Sequence, residues 1–269
     1  MTDAPDNRPP PRDPLAPLDA HVHLWDTSRR SLPWLPAGHP LRRDFSLRDF
    51  SEAADGLPDT ILVQADADPL EVTDLLDLAA TTPSVLGVVG WFDLLADVQL
   101  PQHAKLVGIR CPPADQTDPD ALTDPALLRG VRSAADAGLA IDLLLRPPAL
   151  TGAAWLATAV PDARLVLDHL GNPATADADW LTGLKALADC PNVTVKLSGT
   201  AHLPSDTLAE LIAVALDLFG SDRLMFGSDW PVCTLSSSRA EVVRRTTELL
   251  PAAAHNDVFR GTAQRTYRP

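Results

Sequence analysis

The sequence predicts an α/β fold, a single (β/α)8 barrel that begins near Leu18, and three observations carry that expectation. Apolar, β-rich runs recur about every 30 residues, the period of a strand plus its crossover helix. Most stretches between them space their apolar residues along one face of a helix. The runs also end in ionisable or aromatic residues rather than in turn residues, as expected where strand ends share one reactive face of a barrel.

Taken in order, residues 1–17 hold Pro5, Pro9, Pro10, Pro11, Pro14 and Pro17 among polar side chains. That composition cannot pack and predicts a disordered, extended N-terminal arm. Residues 18–269 are then one barrel domain. Its strands are expected at Leu18–Trp25, Thr60–Ala65, Val85–Leu94, Leu106–Cys111, Leu139–Arg146, Arg164–Leu170, Val193–Ser198 and Leu224–Ser228. Helical spacing is found over Leu70–Thr81, Pro125–Ala137, Ala153–Val160, Trp180–Asp189, Thr207–Phe219 and Ala240–Leu250. Asp124-Pro125 and Ser205-Asp206 can cap helix starts, and Gly138 and Gly220 stand where helices would stop. Two connections are irregular: one is long and rich in Trp and Pro (Trp34 to Pro40), and Asp93 to Lys105 is too short for much helix. His255–Tyr267 should form a last helix beneath the barrel.

Composition narrows the function. The 269-residue chain is 45% hydrophobic and 22% charged, ordinary for a globular protein with a sizeable core. No apolar run is long enough to cross a bilayer, and the first residues lack the basic and apolar regions of a signal peptide, so a cytoplasmic protein without membrane partners is expected. Cys111, Cys190 and Cys233 are too scattered for a disulfide framework or a metal knuckle and read as reduced thiols. A net charge of −14 repels phosphate backbones, so nucleic acid is not an expected partner; a small molecule is. An anionic substrate is compatible with the charge if arginines line the pocket, and a homo-oligomer is compatible with the chain.

The strand ends carry the chemistry. His21 and His23, two apart on a strand, project from the same face into one space. Such a pair suits gripping a cation or polarising an oxygen. Asp229, at the end of the eighth strand, is adjacent to the first strand in a closed barrel and faces that pair. An aspartate there, ordinarily ionised at pH 7, can bind a metal or take a proton from water. Alternation puts His169 and Asp168 on opposite faces, so one of the two points inward. Arg110 and Arg146 end strands four and five, where a guanidinium suits a substrate carboxylate or polarised oxygen. A salt bridge to Asp142 or Asp93 is their alternative role. Lys196 is equally suited to pairing with an acid inside the barrel mouth.

The segments Asp19–Asp26, Val88–Leu94, Lys105–Arg110, Leu167–Pro173, Lys196–Gly199 and Gly227–Pro231, in this order and spacing, closely resemble the amidohydrolase-related (amidohydrolase 2) family of lactonases. Its members include fuconolactonase-like, rhamnonolactonase-like and pyrone-dicarboxylate lactonase-like enzymes. The resemblance runs from about Leu18 to Tyr267. It implies a distorted (β/α)8 TIM barrel that hydrolyses cyclic esters of sugar acids or related carboxylates. By this resemblance Asp229 activates water, while His21, His23 and His169 hold a divalent cation or polarise the carbonyl directly, and Arg110 binds substrate.

Three departures stand out: Asn172 where the family often has lysine, Cys111 where a histidine is common, and Thr262-Ala263 in place of Asn-Ala. The first two alter pocket charge without touching the catalytic set, which points to an unusual specificity. A single cation, zinc or manganese, on His21, His23 and Asp229 with His169 nearby is the most this ligand set argues for. Metal-free hydrogen-bond donation to the oxyanion is the alternative.

The expected enzyme is thus a hydrolase of a lactone, or less readily of a cyclic amide, with Arg110, Arg146, Gln64, Trp91 and Trp34 shaping the pocket. Two rival readings are a metal-assisted decarboxylase of an aromatic or unsaturated acid and a non-catalytic barrel that binds a small molecule.

Overall fold

The computed structural model describes residues 17–96 and 98–269, with side chains at all of these except 111–116. The expected arm, apart from Pro17, and the Cys111 side chain lie outside the described residues.

Eight parallel strands follow one another in chain order around a barrel: β1 (Asp19–Val22), β2 (Thr60–Val63), β3 (Val85–Trp91), β4 (Leu106–Gln116), β5 (Ala140–Leu145), β6 (Arg164–Leu167), β7 (Val193–Leu197) and β8 (Leu224–Phe226). The fold expected from the repeating β-rich runs is the one found. Closure is made by backbone just past β8. Val22 bridges Trp230, the Asp229 N–H donates to the His21 carbonyl at 2.9 Å, and the His23 N–H donates to the Trp230 carbonyl at 2.8 Å. The chain can approach this closely because residue 227 is glycine. A Cβ there would stand 2.5 Å from the His21 Cβ.

The helices are α1 (Leu47–Ala53), α2 (Pro69–Thr81), α3 (Pro125–Asp136), α4 (Leu150–Ala159), α5 (Ala178–Ala188), α6 (Ser205–Phe219), α7 (Arg239–Leu249) and α8 (Thr262–Tyr267). Asp124 caps α3 as expected, accepting from the Ala126 N–H, and α6 stops at Gly220, which adopts φ 70°. The cap expected from Ser205-Asp206 does not form. Pro204 occupies that position, already in an extended conformation that feeds a helix without a side-chain bond. Helix α1 was missed by apolar spacing because it has only seven residues and one buried side chain, Phe50. The link between β3 and β4 carries no helix among its described residues, as its length implied.

Most apolar side chains pack between the sheet and its surrounding helices. A second cluster joins Leu18, Ile61, Val89, Ala140, Val166 and Met225 of the strand region to Ala263 and Tyr267 of α8. The last helix therefore plugs the barrel, as expected, after one π-helical turn at Asp257–Gly261. Among the described residues no helix is long and apolar enough to cross a membrane.

Candidate functional site

Because all eight strands are parallel, residues at their C-terminal ends meet on one face. His23 follows β1, Trp91 ends β3, Arg146 follows β5, His169 follows β6 and Asp229 follows β8. Together with Trp34, Arg110, Asp66, Asn172, His202 and Val232 they line a cavity of about 700 Å³. His21 lies beneath it, fully buried.

Three residues, Asp229, His169 and Asn172, reach this face through backbone that L-residues rarely adopt, Asn172 at φ 53°. Asp229 has φ 57° and His169 φ 56°. A left-handed residue costs about 1–2 kcal/mol and marks a site where position matters more than comfort. At β6 the strand stops at Leu167, and His169 and Leu170 both turn left-handed. Strand alternation no longer applies beyond that point. Asp168 and His169 therefore both point inward, correcting the expectation that one of them would face away. Asp229 does not cap the short 3-10 turn that follows at Val232–Leu235, since that turn has no side-chain cap.

Hydrogen bonds hold the histidine rings, and His21 and His23 are each engaged at both nitrogens. His23 Nδ1 lies 2.7 Å from the Val63 carbonyl, so Nδ1 carries the hydrogen and donates it. His169 Nδ1 meets Ser198 Oγ at 2.8 Å. His21 Nε2 lies 3.1 Å from His23 Nε2 and 3.3 Å from Arg110 Nη2. Asp229 Oδ1 stands 3.5 Å from His23 Nε2 and 3.8 Å from His21 Nε2. One ligand atom each of His21, His169 and Asp229 fall within 4.8 Å of one another.

Below the histidines is a layer of buried charge. Lys196 Nζ contacts Asp142 Oδ2 at 2.6 Å, Asp168 Oδ1 at 3.2 Å and His21 Nδ1 at 3.2 Å. Arg110 Nη2 donates to Asp168 Oδ2 at 3.2 Å, and the Tyr267 hydroxyl donates to Asp142 Oδ1 at 2.8 Å. The partner of Arg110 is thus Asp168, whereas Asp142 belongs to Lys196.

Burial, reinforced by Lys196 and opposed by Asp168, pushes the His21 pKa well below the usual imidazole value. Burial lowers His169 too, against the pull of Asp229. Both rings are neutral at pH 7. Burial pushes Asp168 upward, but Lys196, His21 and Arg110 outweigh it and hold the group well below the carboxylate range. Burial dominates at Asp142 and raises it to about 6 despite Lys196.

These residues fit a divalent cation. Two imidazoles and a carboxylate, those of His21, His169 and Asp229, are a donor set that zinc or manganese accepts, with His169 in the place expected for His23. Asp168 Oδ1, fully buried and ion-paired to Lys196 Nζ at 3.2 Å, makes no hydrogen bond among the described residues and stands 3.4 Å from His21 Nδ1. It is placed to accept the Nδ1 hydrogen of a metal-ligating ring, as Val63 does for His23. Asp142, Asp168 and Asp229 also exceed the two cations Arg110 and Lys196 in number.

Of the expected pocket residues, Trp34, Trp91, Arg110 and Arg146 line the cavity, and Gln64 does not. The Gln64 amide donates to the carbonyls of Asp66 and Asp68 and accepts from the Trp91 N–H at 2.6 Å. It joins the ends of β2 and β3 and has nothing left to offer a ligand. His202 and Asp66 line the cavity from loops, where no periodicity singles them out.

The amidohydrolase family model matches residues 18–268. An L-fucono-1,5-lactonase of Burkholderia multivorans is 36% identical, with 93% of this chain and 95% of that protein covered. An L-fucono-1,5-lactonase of Burkholderia ambifaria is 34% identical over 81% of each chain. A crystal structure of a Burkholderia multivorans amidohydrolase with bound zinc has a TM-score of 0.83 at 32% identity, covering 94% of this chain and 99% of that one. Match and geometry agree that this chain belongs to the amidohydrolase family and is a hydrolase.

Proposed function

We propose that this protein is a cytoplasmic lactonase that opens the cyclic ester of a sugar acid or related carboxylate. The observation that carries the reading is the placement of Asp229: its carboxylate faces the two Nε2 atoms of His21 and His23 at the floor of the cavity. Two lactonase-named relatives more than 30% identical support the same substrate class.

In this reading Asp229 accepts a proton from the attacking water as the carbon–oxygen bond to the ring carbonyl forms. The same carboxylate then returns the proton to the departing ring oxygen, so the ester opens to a hydroxy acid. His21, His169 and Asp229 would hold the divalent cation, zinc or manganese; when bound, it supplies Lewis acidity toward water and the ester carbonyl. Arg110 points one edge of its guanidinium at the histidine cluster, with its charge already matched by Asp168. It therefore serves a neutral carbonyl better than an extra carboxylate. Trp34 and Trp91 offer aromatic walls to the ring, while Arg146 and His202 stand at the side where a carboxylate or hydroxyl would lie.

The test is turnover of a panel of neutral and acidic lactones by the wild type and by Asp229→Asn, followed through release of the ring-opened acid. The variant is expected to lose about 100- to 10,000-fold in kcat. Hydrolysis at the wild-type rate in Asp229→Asn would overturn the mechanism, and release of carbon dioxide instead of ring-opened acid would overturn the reaction class.

A further inference from the structure

A smaller pocket of about 40 Å³ adjoins the main cavity, and the two share Arg146, His169, Asn172 and His202 as walls. Thr200 lines only the smaller one. The pocket lies on the side of β5, β6 and β7, since these residues all follow the ends of those strands. His23 and Asp229, which follow β1 and β8, line the main cavity and not this pocket. A water-sized group needs about 10–15 Å³ of such space. The pocket therefore admits one small substituent of a ring held in the cavity, and not the ring itself.

Its polar groups are not spent on the fold. The Asn172 Nδ2 group donates to the Leu145 carbonyl at 2.9 Å. A carbonyl can only accept, so that end of the amide is the nitrogen and the other end is the oxygen. Asn172 Oδ1 is then an acceptor that makes no hydrogen bond among the described residues, on a side chain already fixed in place. Thr200 is 5% exposed, and its hydroxyl makes no hydrogen bond among the described residues either. Hydroxyls of residues this buried are ordinarily paired.

Few groups satisfy both. Asn172 Oδ1 needs a hydrogen, whereas the Thr200 hydroxyl can give one or take one. A substrate hydroxyl gives its hydrogen to Asn172 and accepts from Thr200. An ionised carboxylate has no hydrogen to give and would set its charge against the Asn172 oxygen. A methyl would fill the space and leave both groups without a partner.

We propose that this pocket is a subsite for one hydroxyl of the lactone ring, with Asn172 and Thr200 as the residues that select it. The proposal rests on the lactonase reading of the main cavity and names what that reading leaves open, the substituent that orients the ring. A hydroxyl seated here anchors the ring on the His169 side of the cavity, across from the strands that carry His23 and Asp229.

The test screens aldonic-acid 1,5-lactones of differing ring stereochemistry and compares the best with analogues that each lack one ring hydroxyl. Wild-type kcat/KM is expected to fall about 10- to 100-fold when one particular hydroxyl is missing. Thr200→Val keeps the shape of the side chain without its hydroxyl, and Asn172→Gly accepts the left-handed backbone. In each variant the ratio of kcat/KM between the hydroxylated lactone and that deoxy analogue is expected to fall to about threefold or less. Variants that slow both lactones alike and keep the wild-type ratio overturn the roles given to Asn172 and Thr200. Wild-type turnover that is indifferent to every hydroxyl, or confined to lactones without ring hydroxyls, overturns the subsite alone. Faster opening of a lactone with a ring carboxylate in place of that hydroxyl overturns the choice of group. A wild type that opens no lactone overturns the lactonase reading and the subsite together.

Discussion

Glu71, on the first turn of α2, is 1% exposed, with its oxygens accepting from the N–H groups of Ala65 at 2.6 Å and Asp66 at 3.2 Å. Those two residues line the cavity, so this carboxyl fixes part of the cavity wall from behind. Burial, only partly offset by the two N–H bonds, raises its pKa from 4.5 to about 7. Below pH 4.5 it is protonated folded or unfolded and carries no penalty. Above pH 7 it is ionised in both states, and the buried charge costs about 3 kcal/mol. Its contribution to stability is therefore lost as pH rises between those values. Glu71→Gln should flatten that part of the profile, so that urea unfolding at pH 5 and pH 7.5 gives a wild-type-minus-variant difference of about that size. Parallel profiles would refute the assignment. At this scale the sequence was legible wherever a side chain stands at a strand end: His21, His23, His169, Asp229 and Arg110 all reach the site. It was illegible where backbone leaves the strand conformation. The inward turn of Asp168 depends on left-handed residues at 169 and 170, and neither is a glycine that would advertise one. Gln64 misled for a related reason, since a strand-end amide satisfies backbone as readily as it binds ligand.

Elements hold these side chains by close approach. Gly199, just past β7, has φ 65°, and a Cβ there would stand 2.7 Å from His169 Cγ. Gly199→Ala should both strain the left-handed turn, by about 1–2 kcal/mol, and push the imidazole from its place. The expected signature is a modest fall in Tm with a loss of about 100-fold in kcat/KM, because displacement of about 1 Å at a reacting group has that effect. A variant that loses stability and keeps its rate would show that His169 is not placed by this contact. The helices were legible in proportion to length. Those of ten residues or more show their period, whereas α1 is announced only by its cap, in which Ser46 and Asp49 bond each other's backbone N–H groups. The serine at position 205 shows the converse: a residue suited to capping is idle when a proline already sets the entry.

For the molecule as a whole, the barrel is sealed at the end opposite the cavity by Tyr267, which is 2% exposed and whose hydroxyl reaches the buried Asp142. Tyr267→Phe keeps the plug and strips a hydrogen bond from a buried carboxylate, at about 1–3 kcal/mol. Tyr267→Ala removes the plug itself and should cost about 3–5 kcal/mol. Chemical denaturation of the two variants reads the difference, and equal losses would mean that the ring contributes nothing beyond its hydroxyl. That closure was only partly foreseeable. The eight-fold repeat and the position of the last helix are written in apolar spacing, but of the charged layer inside the barrel only the pairing of Lys196 with an acid was legible, because Asp142, Asp168, Lys196 and Tyr267 are brought together from four separate elements. The two tryptophans in the cavity wall have a different bearing. Trp34 is 43% exposed and stacks edge-on against the buried Trp25, with ring centroids 5.5 Å apart, while Trp91 lies under the Arg110 guanidinium at 6.0 Å. An indole's emission follows the polarity around it, so a ring settling between these two walls changes the protein's own light. The cavity carries a built-in optical gauge of occupancy, readable without label and before any bond is broken.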